Sequence, residues 1–223
     1  MKIVAVIPAY NEEKMIETVL NHAAPFVDEI IVINDGSFDK TALIARSCGA
    51  IVYSHLINRG LGAALGTGFR AAQNHDADIV LTLDADGQHD VEKIPLFILA
   101  IQNGADVVIG SRMLDHLKGM PFHRKLATFV GNMVTYTLFG VKTTDSQSGF
   151  RALSQRALKV MEMKTNRWAI SSEILFEAHR HQLSIKEVPI PSIYNTYSLS
   201  KGQNFFEGIK TLKELILRRL MHK

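Results

Sequence analysis

Residues 78–90 read DIVLTLDADGQHD. The run up to Leu83 is apolar and non-alternating, the pattern of a strand buried on both faces. It stops at Asp84, because Asp and Gly are poor strand formers. Asp84 and Asp86 stand at i and i+2, which in an extended segment projects both carboxylates to one side. Like charges held this close need compensation. A divalent cation would remove their repulsion and could bridge them to a phosphate; Mg²⁺ and Mn²⁺ prefer such oxygen ligands. The plainer alternative is a solvated Asp-Gly turn, and the pair alone does not choose between the two. An EF-hand is excluded, since positions six and twelve counted from Asp84 hold His89 and Pro95 instead of Gly and Glu. His89, read by itself, is expected at the surface.

The same alternation extends to both sides. KIVAVI (2–7), EIIVI (29–33), AIVY (50–53) and DVVIG (106–110) are further Val/Ile-rich runs. Helical patterns lie between them near 12–24, 39–48, 62–75 and 91–103. Strand then helix, repeated, predicts an α/β fold with a mostly parallel central sheet flanked by helices. Ligands of such sheets bind at the carboxyl ends of the strands. Three polar clusters fall there: PAYNEE, NDGSFDKT and DADGQHD. Their convergence tips Asp84 and Asp86 toward a metal–diphosphate grip. After residue 111 the pattern changes. A helix near 122–139 is apolar on most sides, SGFRALS and SIKEVPIPSIY read as short strands around a helix near 171–182, and a last helix spans about 203–221. Gly119-Met120-Pro121 and 195–202 read as loops.

Bulk properties narrow the class. The chain has 223 residues, enough for one large domain, and 47% are hydrophobic, enough for a core. A formal charge of +3 supplies no general surface for nucleic acid. One cysteine, Cys48, forms no internal disulfide, which suits a reducing cytoplasm. MKIVAVIPAYNEE does not read as a signal peptide. The longest uncharged run, between Lys125 and Lys142, has 16 residues, short of the roughly 20 that a spanning helix needs.

Other motifs are weaker singly. In IPAYNEE, Tyr10 could lie against a base and Glu12 could accept from a base or ribose; a turn into an acidic helix start explains them equally. Asp35 could face a base or ribose, or simply turn the chain with Gly36, while Ser37 or Asp39 caps a helix. NRGLGAALGTG (58–68) has GxGxxxG spacing and follows the third strand, so close helix–sheet packing explains it better than a dinucleotide fingerprint. No P-loop is present. Arg112, Arg124 and Lys201 are three separated cations near one edge, suited to a diphosphate or second phosphate, although each alone is ordinary surface charge.

Together the pieces PAYNE, NDGS, NRGLGAALGTG, LDADGQH, GSR, DSQSGFR, SSE, VPI and SK resemble family 2 glycosyltransferases, and within them the polyprenyl-phosphate sugar synthases. They run in family order from residue 3 to about 202, which makes 1–202 the transferase domain and 203–223 an appended basic amphipathic helix. The resemblance implies a GT-A-like fold and an inverting transfer from a nucleotide-diphospho-sugar donor to a polyprenyl phosphate. By resemblance, Pro8, Tyr10, Glu12, Asp35 and the Asp84-Ala85-Asp86 segment hold the donor nucleotide. Asp84, Asp86 and Gln88 would hold Mg²⁺ or Mn²⁺. Arg112, Arg124 and Thr128 would take the acceptor phosphate, Lys201 the donor phosphates, and Asp145 and Gln147 the sugar and acceptor side. Asn34 replaces the first acid of the usual DDGS, Asn195 stands where mannose enzymes carry Arg, and DSQSGF is nearer to glucosyl-type relatives, so donor base and sugar stay open.

Acceptor type decides which acid matters. A lipid phosphate oxygen is already anionic, so no general base is needed and Arg112 and Arg124 would hold the nucleophile. A sugar hydroxyl would need a carboxylate, with Asp145 or Glu173 as candidates. Phe205, Ile209, Leu212, Ile216 and Leu220 recur at helical spacing beside Lys210, Lys213, Arg218 and Arg219. Such a helix suits an anionic membrane surface, here expected on the cytoplasmic face, or equally the core or a second subunit of a homo-oligomer. The alternatives are transfer to a glycan hydroxyl, a sugar nucleotidyltransferase, and a non-catalytic nucleotide-sugar-binding protein.

Overall fold

The structure, a computed structural model, describes residues 1–114, 120, 122–164 and 170–193. Lys201, the 195–202 loop and the 203–223 helix lie outside the described residues. The strands are β1 (Ile3–Ala9), β2 (Glu29–Asn34), β3 (Ile51–Ser54), β4 (Ile79–Thr82), β5 (Val107–Ser111), β6 (Arg151–Ser154) and β7 (Ile185–Pro189). The helices are α1 (Ile16–Ala23), α2 (Thr41–Ser47), α3 (Leu61–Asn74), α4 (Ile94–Gln102), α5 (Phe122–Phe139), α6 (Gln155–Val160) and α7 (Ile170–Arg180). All seven strands form one sheet in the order β3-β2-β1-β4-β6-β5-β7.

Side chains of each strand alternate between two cores, as a pleated backbone requires. Val4, Val6, Ile31, Ile33, Val80, Val107 and Ile109 face α3, α6 and α7. Ala5, Ile7, Val32, Ile79, Leu81 and Val108 face α1, α2 and α4. This two-sided burial is what the non-alternating apolar runs encode. β3 departs from it. It ends the sheet, and Tyr53 and Ser54 are exposed, because an edge strand has no outer neighbour to cover it. The helix expected over 91–103 begins as a 3-10 turn at Val91–Lys93, after which Pro95 opens α4. α6 was not anticipated; its signal is Ser154, whose hydroxyl accepts from the Ala157 N–H as an N-cap.

Two topological features position the site. The chain builds outward from β1 through β2 and β3, then returns to lay β4 on the other side of β1, all parallel. The carboxyl ends of β1 and β4 therefore flank the switch point where such sheets hold ligands. β6 then inserts antiparallel between β4 and β5, pairing Arg151 with Thr82 on one side and Ile109 on the other. Because β6 starts where β4 ends, the segment leading into it, Asp145 to Phe150, lies at the same edge of the sheet.

In the glycine-rich start of α3 the close helix–sheet packing expected from the sequence falls on Gly68 and not on Gly66. A Cβ on Gly68 would come within 2.3 Å of Val6 Cγ1 and 3.3 Å of Ile33 Cγ1, whereas one on Gly66 would meet only Met163 Cβ at 3.9 Å. Gly68→Ala is expected to destabilise the protein by about 1–3 kcal/mol through overpacking. Gly66→Ala is expected to be neutral or slightly stabilising, since Ala is the better helix former by roughly 1 kcal/mol. Denaturant unfolding of the two variants checks the contrast; equal stabilities would remove the packing role from Gly68.

Candidate active site

At the ends of β1 and β2 the PAYNE and NDGSFDKT turns are stitched together. The Asn11 N–H donates to Ser37 Oγ at 2.9 Å, the Phe38 N–H to Asn11 Oδ1 at 3.1 Å, and the Glu12 N–H to Thr41 Oγ1 at 2.8 Å. Asp39 Oδ1 in turn accepts from the Thr41 N–H at 2.9 Å. Pro8 sits within β1 opposite Ile33. Tyr10 is exposed and meets the exposed ring of Phe38 edge-on, with centroids 5.9 Å apart at 89°. The pair offers a planar base two aromatic surfaces. Glu12 and Asp35 are buried. Asp35 accepts from the Arg59 N–H at 2.9 Å and the Gly60 N–H at 2.7 Å, and lies 2.6 Å from His55 Nδ1. His55 Nε2 continues to Thr67 Oγ1 at 2.9 Å. The Asp35 carboxylate thus fixes the 55–60 loop that borders the site.

At the end of β4 the backbone turns at Ala85 and Asp86, so the acids do not sit on an extended segment. They interact nevertheless. Burial and then the charge of Asp84 hold the Asp86 carboxyl above its usual range, against the opposing hydrogen bonds from Gln88. Burial also raises Asp84, whose side chain keeps 40% of its surface open although protein rings it. Arg112 and Arg151 oppose that shift and Glu12 adds to it, so four charged groups share this corner of the sheet. Gln88 donates its backbone N–H to Asp86 Oδ1 at 3.0 Å and its amide NH₂ to Asp86 Oδ2. Its amide oxygen makes neither bond. Gly149 presses on the other acid: a Cβ there would lie 2.6 Å from Asp84 Oδ2. His89 is not at the surface. Its side chain is 10% exposed, it stacks on Phe150 at 5.1 Å, and burial pushes its pKa down to about 4. Asp90 caps the 3-10 turn before α4, accepting from the Glu92 N–H.

Among the described residues no group of three or more His, Cys, Asp and Glu is arranged to hold a metal. The donor set here is two repelling carboxylates and one amide oxygen. That fits Mg²⁺ or Mn²⁺, which are commonly held by one or two carboxylates with the remaining positions filled by substrate phosphates and water.

The residues expected on the acceptor side gather around β5, α5 and the lead-in to β6. Arg112 grips Asp145 with a two-pronged pair, Nε to Oδ2 at 2.7 Å and one terminal nitrogen to Oδ1 at 2.8 Å, and its own N–H joins at 3.1 Å. Asp145 is fully buried, so it is not the open side chain expected to line the sugar. Its loop is held from below by Glu187 of β7, which accepts from Thr143 and Thr144. Asn132 of α5 holds it from the side, donating to Thr144 O at 2.6 Å and accepting from the Ser146 N–H at 2.8 Å. Arg124, Thr128 and Asn132 repeat every four residues, so one face of α5 carries all three toward this loop. Gln147 donates to Ser146 Oγ and Ser172 Oγ. Glu173 is fully buried and accepts from the Lys164 N–H at 2.6 Å. Arg151 was not singled out by its sequence. It is 1% exposed, its Nε has no hydrogen-bond partner among the described residues, and burial pushes its pKa down to about 10. The available signal was an arginine inside an apolar strand pattern, which only a buried acid cluster explains.

A parallel-centred sheet with a carboxylate pair at its switch point and cations opposite defines a nucleotide-diphospho-sugar transferase of the GT-A class. The chain belongs to glycosyl transferase family 2, whose model matches residues 4–161. It is 46% identical to an uncharacterized protein of Methanocaldococcus jannaschii, over 98% of this chain and 93% of that one. It is 37% identical to a UDP-N-acetylglucosamine–dolichyl-phosphate N-acetylglucosaminyltransferase of Methanococcus voltae, over 96% and 95%. In fold it resembles glucosyl-3-phosphoglycerate synthase of Mycobacterium tuberculosis, crystallised with Mn²⁺, UDP and phosphoglyceric acid. The TM-score is 0.77 at 22% identity, over 98% of this chain and 78% of that one.

Folding raises the carboxyl pKa of both Asp84 and Asp86. Their ionised pair therefore costs stability near neutral pH, and the cost is relieved as pH falls through their folded pKa values. In chelator near neutral pH, Asp86→Asn is expected to melt above the wild type, with the gap closing in acid. Mn²⁺ with UDP should raise the melting temperature of the wild type and leave that of the variant unmoved. A variant that melts lower at neutral pH and still responds to Mn²⁺ would show that the two acids are not a repelling metal pair.

Proposed function

We propose that the protein transfers a sugar, with inversion, from a nucleotide-diphospho-sugar to a polyprenyl phosphate in a reaction that requires Mg²⁺ or Mn²⁺. The observation that carries this reading is the commitment of both candidate bases. Asp145 is sealed against Arg112, and Glu173 is fully buried on the Lys164 N–H. Deprotonating a sugar hydroxyl needs a carboxylate within reach of that proton. A phosphate oxygen brings its own negative charge and needs no base. It attacks the anomeric carbon as the bond to the donor diphosphate breaks, and no proton moves.

The named residues divide the work. A cation held by Asp84, Asp86 and Gln88 would supply charge stabilisation to the leaving diphosphate. Tyr10 and Glu12 stand at the nucleoside end. Arg112, its fork set by Asp145, and Arg124 with Thr128 on α5 would hold the acceptor phosphate in line. Lys201 would add charge on the donor side.

The surface of α5 supports a lipid acceptor. Its inward face is polar at Thr128 and Thr135, both buried, and apolar at Val134, Leu138 and Phe139, which pack on the core. Its outward face is Leu126, Phe129, Val130, Met133 and Tyr136, each 47–58% exposed and spaced as one helical stripe. An exposed apolar stripe of this length suits a helix lying on a membrane surface beside the acceptor site. Among the described residues no helix is long and apolar enough to cross a membrane, so peripheral attachment is proposed, on the cytoplasmic face.

The relative at 37% identity makes UDP-N-acetylglucosamine the first donor to test. Radiolabel is expected to pass from it, or from GDP-mannose, into organic-extractable polyprenyl-phosphate product when Mn²⁺ is present. Label appearing only in water-soluble glycan overturns the reading. Arg124→Ala is expected to raise KM for the lipid about 10–100-fold, the worth of a charge-assisted bond, with the donor KM unchanged. Phe129→Glu with Met133→Glu is expected to abolish co-sedimentation with anionic vesicles. If it instead changes the oligomeric state by light scattering, the stripe is a subunit contact.

A further inference from the structure

We propose that His89 is a positioning residue for the divalent cation, acting by closing the 84–89 turn onto a stacked aromatic support; this rests on the metal reading above. The Asp84 N–H donates to His89 Nδ1 at 3.2 Å. That bond joins the first and last residues of the turn that carries both carboxylates and Gln88. Inside it, Gln88 is folded back on Asp86, and Gly87 takes a φ of +75°, with Met15 against the space a Cβ would fill. Asp90, immediately after, is fixed as a cap. The turn therefore hangs between the end of β4 and the His89 ring.

The ring is itself held. It stacks on Phe150 with centroids 5.1 Å apart at 19°, and Phe150 stacks on Phe97 of α4 at 4.1 Å and 21°. Phe150 and Phe97 are fully buried. Gly149, the residue before Phe150, is the one whose backbone abuts the Asp84 carboxylate. The same dipeptide thus braces Asp84 from one side and His89 from the other.

Direct ligation by His89 is disfavoured by the hydrogen bond. Nδ1 accepts from the Asp84 N–H, so the proton of the neutral ring sits on Nε2. Nε2 stands 3.4 Å from Asp84 Oδ2, facing the carboxylate with an N–H edge and offering no lone pair to a metal. A residue that fixes ligating carboxylates typically contributes 10–100-fold to metal affinity.

The test is Mn²⁺ affinity measured calorimetrically in the presence of UDP. His89→Phe keeps a ring on Phe150 and removes both nitrogens. It should bind Mn²⁺ about 10–100-fold more weakly. His89→Asn places an amide oxygen near the Nδ1 position and should recover most of the loss. UDP affinity without metal should stay at the wild-type value in both, while melting in chelator, expected to fall by the cost of one lost hydrogen bond or ring contact, confirms that each variant is folded at the assay temperature. Phe150→Leu, with His89 intact, should give an intermediate loss and serves if His89→Phe does not fold. Wild-type Mn²⁺ affinity in His89→Phe overturns the proposal, as does an imidazole-nitrogen coupling in the spin-echo spectrum of the bound Mn²⁺. Mn²⁺ binding that falls as expected while no lipid product forms overturns only the acceptor reading. Absence of Mn²⁺ binding in the wild type overturns the metal reading and this role together.

Discussion

The site depends on β6 running antiparallel between two strands that would otherwise be neighbours. If β5 followed β4 directly, the loop before β6 would have no reason to lie at the carboxyl edge of the sheet. With β6 inserted, Arg151 pairs across to Thr82 and Ile109, and the residues before it reach back over the end of β4. The Thr82 hydroxyl donates to Gly149 O at 2.6 Å and locks that approach. One topological choice therefore brings the Asp145–Gly149 segment, contributed from far along the chain, against the acids of the 84–86 turn.

Charge explains why the arrangement holds before any ligand arrives. Asp84, Asp86, Glu12 and Asp145 would repel one another in a half-buried cleft. Arg112 and Arg151 stand among them, and each arginine feels the opposing acids in turn. The Arg112–Asp145 pair is costly to break, because removing Arg112 would leave a fully buried carboxylate uncompensated, a loss of about 3–5 kcal/mol. Asp145 is therefore best understood as the anchor that gives Arg112 its direction. On the proposed reading, the task of the acceptor side is then charge placement and not proton removal.

Much of this was legible in the sequence. The β-strand runs, the helices between them and the strand-end clusters all encode burial and turn chemistry that local residues dictate. The glycines of α3 were readable as packing because their spacing and position did not fit a phosphate loop. What stayed hidden depends on contacts between distant segments. Nothing local marks β6 as antiparallel or β3 as an edge. His89 looked like a surface residue because its burial comes from Phe150, 61 positions away in the chain. The part Asp35 plays in fixing the 55–60 loop was hidden because the amides it accepts from, Arg59 and Gly60, belong to another loop. The polar bonds around 143–147 reach α5, β5, β7 and α7, and no periodicity announces them.

α5 joins the two halves of the argument. Its inner face is polar where Asn132 and Thr135 bond the 143–147 loop and Ser172, and where a Cβ on Gly131 would stand 3.2 Å from Gln147; further along, Val134, Leu138 and Phe139 pack on the core. Its outer face has no duty to the core, yet it is apolar too. A soluble enzyme acting on a water-soluble acceptor would gain nothing from five large exposed side chains beside its site and would risk aggregation. An enzyme whose acceptor phosphate is fixed to a lipid must bring Arg124 and Thr128 to the level of the headgroups. On the proposed reading, a helix polar toward the 143–147 loop and apolar toward the outside would do that with its first turns, and the residues that hold the loop would set the depth at which the phosphate is met.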